Sequence, residues 1–296
     1  MATAFFSLGE SRGNEIEREV WGQMPDGREV EIFTLRNDAG TVVRVAEYGA
    51  LLVSVDTKDR DGELGRITLS YETLEEALAG GVFGSVIGRF ANRIDGGGFE
   101  IDGTRYDLES VNPKTGVHIH GGKTGFHRQL WFGRSKKTLD GPTATFTLIS
   151  DDGHEGYPGN VLVEVQYRLK GNSLFLSYTG YTDKPTHINL TNHVYFNLAG
   201  EGSIEDHLLT LTTPEFLEID ERNIPTGKFL PVAGTPFDFL AETRLGDRLP
   251  LYETGGLDHC FVHKGGRLLP LAKLVDPESG RSLSVVTSKP GVQIFT

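Results

Sequence analysis

The chain has 296 residues, among them 38 glycines and a single cysteine, and its formal net charge is −12. This acidic balance argues against a nucleic-acid partner, which would need a basic surface, and provides no attraction to an anionic membrane. One cysteine, Cys260, allows neither an internal disulfide nor a cysteine-based zinc site,.

The N-terminal residues carry no recognisable targeting signal. Residues 1–17 lack a basic n-region, and their apolar run is too short for a signal peptide,. No stretch of the chain approaches the roughly 18 consecutive apolar residues of a membrane-spanning helix. Together with the lone cysteine, these features predict a cytoplasmic protein. We further expect a monomer or homodimer with a small-molecule substrate.

Short predicted strands alternate with turn residues along the whole chain. The glycine content is nearly twice the usual share of about 7%, which indicates many tight turns,. The clearest hairpin is at residues 99–108, where Asp102-Gly103 separates two short runs. The other predicted strands are residues 29–35, 41–46, 51–57, 281–287 and 292–296.

Helix signals are few. Thr73 and Glu76 have the spacing of a capping box before Ala77 and Leu78, which predicts a short helix near residues 73–79,. Many short strands with glycine-rich turns are typical of an all-β fold, here a large antiparallel β-sandwich. The chain shows no shift in composition and no repeat, so residues 1–296 are predicted to form one domain.

Residues 186–200 carry the most distinctive polar pattern. Read in steps of two, one set of side chains is apolar apart from Asn192, and the other set is entirely polar. This alternation predicts a strand with one face in a core. The polar face holds no charged group other than imidazole, which suits a ligand rich in hydroxyl groups, although an ordinary uncharged outer face fits equally well. Its members are His187, Asn189, Thr191, His193, Tyr195 and Asn197.

Two arginines follow Gly84 at helical spacing. A helix here would place Arg89 and Arg93 on one face and would end at the glycines 96–98. Asn92 and Arg93 are candidate hydrogen-bond donors to sugar hydroxyls, since arginine is a rigid multiple donor. A surface arginine paired with an acid is the ordinary alternative.

Residues 117–125 partly match the pattern of a phosphate-binding loop, but the match is incomplete. A phosphate loop would need glycine where Val117 stands, and no convincing helix follows,. His118 and His120 would share a strand face, but no carboxylate accompanies them, so a metal site is disfavoured. We therefore expect no bound metal.

Several other candidates have a simpler structural explanation. Glu155 lies in a loop rich in glycine, where an exposed carboxylate is the usual case,. Trp131 and Phe126 could stack on a sugar ring, but core packing explains both. Asp258 stands at the start of a predicted strand, a common place for a cap, and the strand histidines 259 and 263 are interpreted as structural.

Taken together, six motifs in this order resemble the aldose 1-epimerase (galactose mutarotase) family. They span nearly the whole chain. They are GRFANRI at 88–94, HGGKTGFHRQLW at 120–131, DGHEGYPG at 152–159, NLTNHVYFNLAG at 189–200, GLDHCF at 256–261 and PGVQIFT at 290–296.

The resemblance implies a galactose mutarotase-like antiparallel β-sandwich with a sugar groove, and neither a metal nor an organic cofactor. It implies interconversion of the α- and β-anomers of free hexoses. His193 matches the general acid, which also contacts the sugar. The other matching sugar-contacting positions are Asn92, Arg93, His120, Tyr195, Asp258 and Gln293.

One part of the family pattern has no counterpart here. The resemblance implies a glutamate as general base, in a segment several dozen residues beyond residues 290–296. The chain stops at Thr296 within an apolar predicted strand, whereas termini are usually polar,. We therefore expect a sequence truncated at its C-terminus, and none of the acids present, Glu155 included, matches the base.

Three alternatives follow from these residues. A sugar-binding or sugar-sensing protein on the same fold would need no base. A hexose-6-phosphate 1-epimerase would need a basic cluster for the phosphate, and none accompanies the motifs. A metal-dependent isomerase using His118 and His120 is the least supported.

Overall fold

A computed structural model describes residues 14–252 and 255–296, which form mainly β-structure. The first elements are β1 (Glu15–Gln23), β2 (Glu29–Arg36), β3 (Val42–Ala46), β4 (Leu51–Lys58), β5 (Leu64–Arg66) and α1 (Leu74–Ala79). The next are β6 (Val86–Ile87), β7 (Arg93–Ile94), β8 (Gly98–Ile101), β9 (Thr104–Asp107), β10 (His118–Ile119), β11 (Phe132–Thr138), β12 (Gly141–Ser150), β13 (Val161–Lys170) and β14 (Ser173–Thr182).

The remaining strands are shorter on average. They are β15 (Thr191–Asn192), β16 (Leu208–Leu211), β17 (Glu215–Ile219), β18 (Pro225–Pro231), β19 (Thr243–Arg244), β20 (Asp258–Val262), β21 (Leu269–Val275), β22 (Ser282–Thr287) and β23 (Gly291–Phe295). Single turns of 3-10 helix occur at Asp95–Gly97, Phe126–Arg128, His154–Gly156, Leu245–Asp247 and Leu249–Leu251. No helix among the described residues is long and apolar enough to cross a membrane.

The named strands pair in antiparallel fashion. The larger sheets have the orders β1-β2-β3-β4-β5, β11-β12-β13-β14, β19-β16-β21-β22 and β18-β17-β20-β23. Two-stranded pairs join β10 to β7, β15 to β6 and β8 to β9. The first two of these pairs connect separate parts of the chain: the β10–β7 pair carries Arg93 and ends beside Asn92 and His120, and β15 ends one residue before His193.

The main core lies between the β1–β5 sheet and the β11–β14 sheet. On β13, side chains alternate between buried odd positions and more exposed even positions, as a strand with one face in a core requires,. Phe33 of β2 meets Phe146 of β12 edge-to-face, with ring centroids 5.4 Å apart, and both rings are fully buried. This packing of two sheets confirms the predicted β-sandwich.

A second apolar cluster supports the strands that follow residue 208. It gathers buried side chains of β16, β17 and β20 with those of the loop before β20, including Phe239 and Phe261. The ring of Phe237 contacts Phe216 and Phe261. β20 and β23, which carry Asp258 and Gln293, are thereby held on a packed layer rather than on a free loop.

Most local predictions are confirmed. The predicted hairpin at residues 99–108 is the pair β8 and β9, and the predicted strands at both ends of the chain are present within one or two residues. Helix α1 begins after Thr73, whose hydroxyl accepts a hydrogen bond from the Glu76 amide at 3.2 Å. Trp131 and Phe126 are buried in the main core, as the packing interpretation predicts.

Two predictions of regular structure are wrong. Residues 186–200 are not one strand: only Thr191–Asn192 pair as a strand, with β6, and isolated bridges attach Asn189 and Phe196 to other segments. Residues 84–94 form no helix, because two short strands, β6 and β7, stand at its ends. In both stretches, hydrogen bonds to distant segments override the structure that the local periodicity predicts. Arg89 points into the interior and is only 1% exposed.

The contact between Phe33 and Phe146 allows a test of the sandwich. Replacing Phe146 with alanine leaves a cavity between the sheets, and we expect the free energy of unfolding to fall by about 3–5 kcal/mol. The measurement is equilibrium denaturation followed by fluorescence. Phe132→Ala, at a position 68% exposed in the same sheet, is the matched control and should change stability by less than about 1 kcal/mol. Equal losses in both variants would contradict the assignment.

Candidate active site

Three backbone segments meet where the short strand pairs form. β15 pairs with β6, so His193 follows directly after a paired strand, and its amide and carbonyl bond to the backbone of Ser85 and Gly84 at 2.9 Å each. β10 pairs with β7, which places His120 one residue beyond a paired position. The ends of these pairs therefore bring Asn92, Arg93, His120 and His193 into one place.

Asn92 and His120 hold each other through a reciprocal pair of hydrogen bonds. The amide of His120 donates to the carbonyl of Asn92 at 2.9 Å, and the amide of Asn92 donates to Nδ1 of His120 at 3.1 Å. Because Nδ1 accepts a hydrogen bond, the neutral ring carries its proton on Nε2. Both residues have left-handed backbone conformations, with φ of 67° and 54°, which asparagine and histidine tolerate better than most side chains,.

Glycines permit this close approach of two backbones. A Cβ atom at Gly121 would overlap the carbonyl of Gly88, and one at Gly125 would crowd the same oxygen. The amide of Phe126 then donates to the Gly88 carbonyl at 3.1 Å. Gly121 and Gly125 therefore allow this turn to pack against Gly88.

A closed ring of polar contacts links four of the candidate residues. Arg93 Nη1 donates to Asn92 Oδ1 at 2.9 Å, and Asn92 Nδ2 donates to Gln293 Oε1 at 3.2 Å. Gln293 Nε2 donates to Asp258 Oδ1 at 2.7 Å. The ring closes where Arg93 Nη2 lies 3.5 Å from Asp258 Oδ2. Each side chain is thus oriented by its neighbours before any ligand arrives.

The register of β20 and β23 explains how Asp258 and Gln293 meet. Asp258 pairs with Phe295, and Cys260 pairs with Gln293. Asp258 and Gln293 are therefore diagonal neighbours on one face, a separation that long side chains span. The Asp258 side chain is partly buried and that of Gln293 is exposed. Both project from paired strands that the second apolar cluster supports.

Aromatic rings continue the site on the other side of His193. The His193 ring lies 5.1 Å from His120 and 5.2 Å from Tyr195, measured between centroids. Tyr195 contacts Phe83 at 5.1 Å, and Phe83 stacks on Tyr71 at 5.8 Å. Polar side chains therefore border one side of His193, and an aromatic wall borders the other.

Burial lowers the pKa of the histidines in and beside the site. It lowers the pKa of His120 to about 3, helped by the nearby His193, His127 and Arg93. Burial also lowers the pKa of His127 to about 4. The pKa of His193 is lowered by burial too, although its own carbonyl and the Asp258 carboxylate oppose that shift.

The structure brings together all seven side chains that the sequence analysis singled out. Asn92, Arg93, Asp258 and Gln293 form the polar ring, and His120, His193 and Tyr195 form the adjoining row of rings. Sequence reasoning missed Tyr71 and Phe83. They flank a short helix without any periodic pattern, so only their contact with Tyr195 reveals them.

Other candidates lie outside this row. His118 is fully buried beside Tyr157, and its Nδ1 lies 2.7 Å from the Glu109 carbonyl. The described residues contain no group of three histidine, cysteine or carboxylate side chains arranged to hold a metal ion. Glu155 is 4% exposed, so the expectation of an exposed loop carboxylate is wrong.

Comparisons with known proteins agree with this architecture. Residues 31–296 match the sequence family described as aldose 1-epimerase. The galactose mutarotase of Homo sapiens is 40% identical over 286 residues, 95% of this chain and 82% of its own length. The aldose 1-epimerase of Escherichia coli (strain K12) is 36% identical over 285 residues, 92% of this chain and 80% of its own length.

The fold also resembles solved structures of epimerases. The galactose 1-epimerase from Lactobacillus acidophilus superposes with a TM-score of 0.79 at 32% identity, covering 88% of this chain and 77% of its own. An aldose epimerase homologue from C. elegans superposes with a TM-score of 0.80 at 26% identity, covering 87% of this chain and 78% of its own.

The reciprocal pair of Asn92 and His120 predicts a selective loss of ligand binding. In His120→Asn the shorter amide can still accept from the Asn92 amide and tolerates the left-handed backbone, but it cannot replace Nε2–H. We expect thermal stability to change little and the Kd for galactose to rise about tenfold, as loss of one well-placed hydrogen bond implies. Calorimetry measures the affinity. An unchanged Kd would remove His120 from the binding site.

The buried His127 predicts acid destabilisation. Its folded pKa of about 4 lies below the unfolded value of about 6.5, so the unfolded chain binds the proton first as pH falls,. The contribution of neutral His127 to the free energy of unfolding is fully present above pH 6.5 and is lost as the pH falls towards 4. Between pH 7 and pH 5, wild type should lose on the order of 1–2 kcal/mol more unfolding free energy than His127→Gln.

Urea denaturation at the two pH values measures this difference. The control is His187→Gln, which removes an exposed histidine and should leave the pH dependence of wild type intact. Parallel pH dependence in wild type and His127→Gln would show that His127 is not held neutral by the fold.

Proposed function

The chain belongs to the aldose 1-epimerase family, and on that premise we propose that it interconverts the α- and β-anomers of free hexoses, galactose and glucose among them. The observation that carries this proposal is the placement of His193. Its ring lies between His120 and Tyr195 and beside a preorganised ring of neutral and charged hydrogen-bonding groups. Such a surface fits a ligand made of hydroxyl groups around one reacting oxygen.

Changing the anomer requires the sugar ring to open and close again. A base removes the proton of the C1 hydroxyl while an acid protonates the ring oxygen, and the bond between C1 and that oxygen breaks. Rotation of the resulting aldehyde presents its other face. Closure then reverses both proton transfers, so no proton is gained or lost overall and each group returns to its starting state.

His193 is proposed as the acid. Its pKa is lowered by burial, and an imidazolium with a lowered pKa is a stronger acid towards a sugar oxygen than an exposed one. The Asp258 carboxylate opposes the shift and keeps the protonated form accessible. Well-placed acids of this kind typically contribute about 10² to 10⁴ in rate.

His120 is proposed as a neutral hydrogen-bond donor next to the acid. With a pKa of about 3 it does not compete with His193 for a proton near neutral pH. Its Nδ1 is already engaged by the Asn92 amide, so Nε2–H is the group available to a sugar oxygen. The two adjacent histidines therefore divide binding and proton transfer between them.

The polar ring is proposed to hold the peripheral hydroxyls. Arg93 and Asn92 supply donors, while Asp258 supplies carboxylate acceptors to hydroxyl protons. These groups bond to one another before a sugar binds. When a sugar displaces those contacts, a hydroxyl of the wrong orientation would leave one of the groups unpaired. Sites built in this way discriminate strongly between substrates that differ in a single hydroxyl.

We assign the general base to none of these residues. Asp258 is engaged by both Arg93 and Gln293, which suits a carboxylate that holds substrate. Glu155 bonds to Thr124. The resemblance implies a glutamate that no residue of this sequence matches, so turnover and sugar binding are measured separately in the experiment below.

The test is polarimetry of freshly dissolved α-galactose with the 296-residue chain and with a version extended at its C-terminus to include the implied general base. We expect mutarotation faster than the spontaneous rate from the extended version, and His193→Ala in that version should lose about 10²- to 10⁴-fold of the acceleration because the acid is removed. The control is His187→Gln, an exposed histidine that should retain the wild-type rate.

Calorimetric titration with galactose runs in parallel. Equal acceleration by wild type and His193→Ala would contradict the acid assignment. Binding without acceleration, by the 296-residue chain and by the extended version alike, would instead favour a sugar-binding protein on the same fold.

A further inference from the structure

Glu155 is a buried carboxylate that the proposed reaction does not use. Its side chain is 4% exposed, and its backbone is left-handed with φ of 53°, an uncommon conformation for glutamate,. It belongs to the loop formed by residues 151–160, which joins β12 to β13. A carboxylate in such a conformation needs compensating contacts to remain buried.

Those contacts are made with the turn that carries His120. Glu155 Oε1 accepts hydrogen bonds from the Thr124 amide at 2.6 Å and from the Thr124 hydroxyl at 2.7 Å. Its carboxylate lies so close to Gly122 that a Cβ atom there would overlap it. Its backbone carbonyl accepts from the Glu109 amide at 3.0 Å.

The Glu155 carboxylate is seated against the turn formed by residues 120–125, where the Thr124 amide donates to it. His120, Gly121 and Gly122 have successive left-handed conformations, with φ of 54°, 76° and 87°. Burial alone would raise the pKa of Glu155, but the hydrogen bonds from Thr124 and Ser110, together with the nearby His118, outweigh it and lower the pKa, so the group is ionised near neutral pH.

We propose that Glu155 is a positioning residue for His120: its carboxylate closes the 120–125 turn and thereby orients the Nε2–H group of His120 towards the sugar. The inference rests on the proposed function, because it takes His120 to be a sugar-binding residue. The force acts through the backbone, since Thr124 and His120 belong to one turn whose glycines pack against Gly88.

The loop that carries Glu155 also bonds to the segment that precedes Asn92. Arg89 is 1% exposed, and its guanidinium donates to the carbonyls of Ser150, Asp151 and Pro158 at 2.7–2.9 Å. Arg89 precedes Asn92 by three residues. One loop therefore fixes both segments whose backbones exchange hydrogen bonds at Asn92 and His120.

The experiment compares Glu155→Ala with Glu155→Gln. The alanine variant removes the acceptor of both Thr124 bonds, whereas glutamine retains an oxygen of the same reach. We expect the Kd for galactose to rise about tenfold in Glu155→Ala and to stay within about threefold of wild type in Glu155→Gln. Asp151→Asn is the matched control, because it removes an exposed carboxylate from the same loop, and it should bind as wild type does.

A second readout follows the His120 ring by NMR without any sugar. In wild type its pKa of about 3 keeps the ring neutral at pH 5. A loosened turn admits water to the ring, so in Glu155→Ala the pKa of His120 should move upward towards 6.5. This readout stands even if the wild-type chain binds no galactose, and so it separates failure of this inference from failure of the proposed function.

Thr124→Val keeps the test open if Glu155→Ala does not fold. Thr124 is exposed, and valine removes its hydroxyl, which donates to Glu155 and also lies 3.1 Å from His154 Nε2, whereas the amide bond to Glu155 stays. An intermediate rise of about threefold in Kd, with a smaller upward shift of the His120 pKa, would support the proposal. Folded Glu155→Ala or Thr124→Val protein with unchanged Kd and unchanged His120 titration would overturn it.

Discussion

The site depends on the approach of two backbone segments, residues 88–93 and 120–125. Their contact is made of hydrogen bonds exchanged between Asn92 and His120, and it leaves no room for a side chain at Gly121. The same contact decides the tautomer of His120, because a backbone amide occupies its Nδ1. A packing constraint therefore determines which hydrogen-bonding group faces the ligand.

Burial and charge act in opposite directions around His193. Packing against His120 and Tyr195 removes water and favours the neutral imidazole, while the Asp258 carboxylate favours the cation. Asp258 is itself balanced by Arg93, so the site gathers one carboxylate and one guanidinium around histidines that can exchange a proton. Such a balance suits proton transfer to a sugar oxygen that is only weakly basic.

The β-sandwich is the rigid scaffold on which the candidate site is built. Its two sheets pack through rings such as Phe33 and Phe146, and none of the proposed sugar contacts lies in that core. The site instead uses the ends of two-residue strand pairs and turns, where left-handed residues aim side chains that a regular strand could not. A rigid layer with irregular connections is a common way to place functional groups accurately.

The sequence by itself determined the fold class, because alternating strands and turn chemistry are local signals. The seven candidate site residues were predicted from motifs whose order resembles a known family. The sequence misjudged residues 186–200 and 84–94, where local periodicity indicated a strand and a helix, because distant segments supply the hydrogen-bond partners there. The burial of Glu155 and Arg89, and the neutral state of His120, were decided only by the tertiary structure. These properties depend on which atoms from remote parts of the chain come within hydrogen-bonding distance, and no local pattern carries that information.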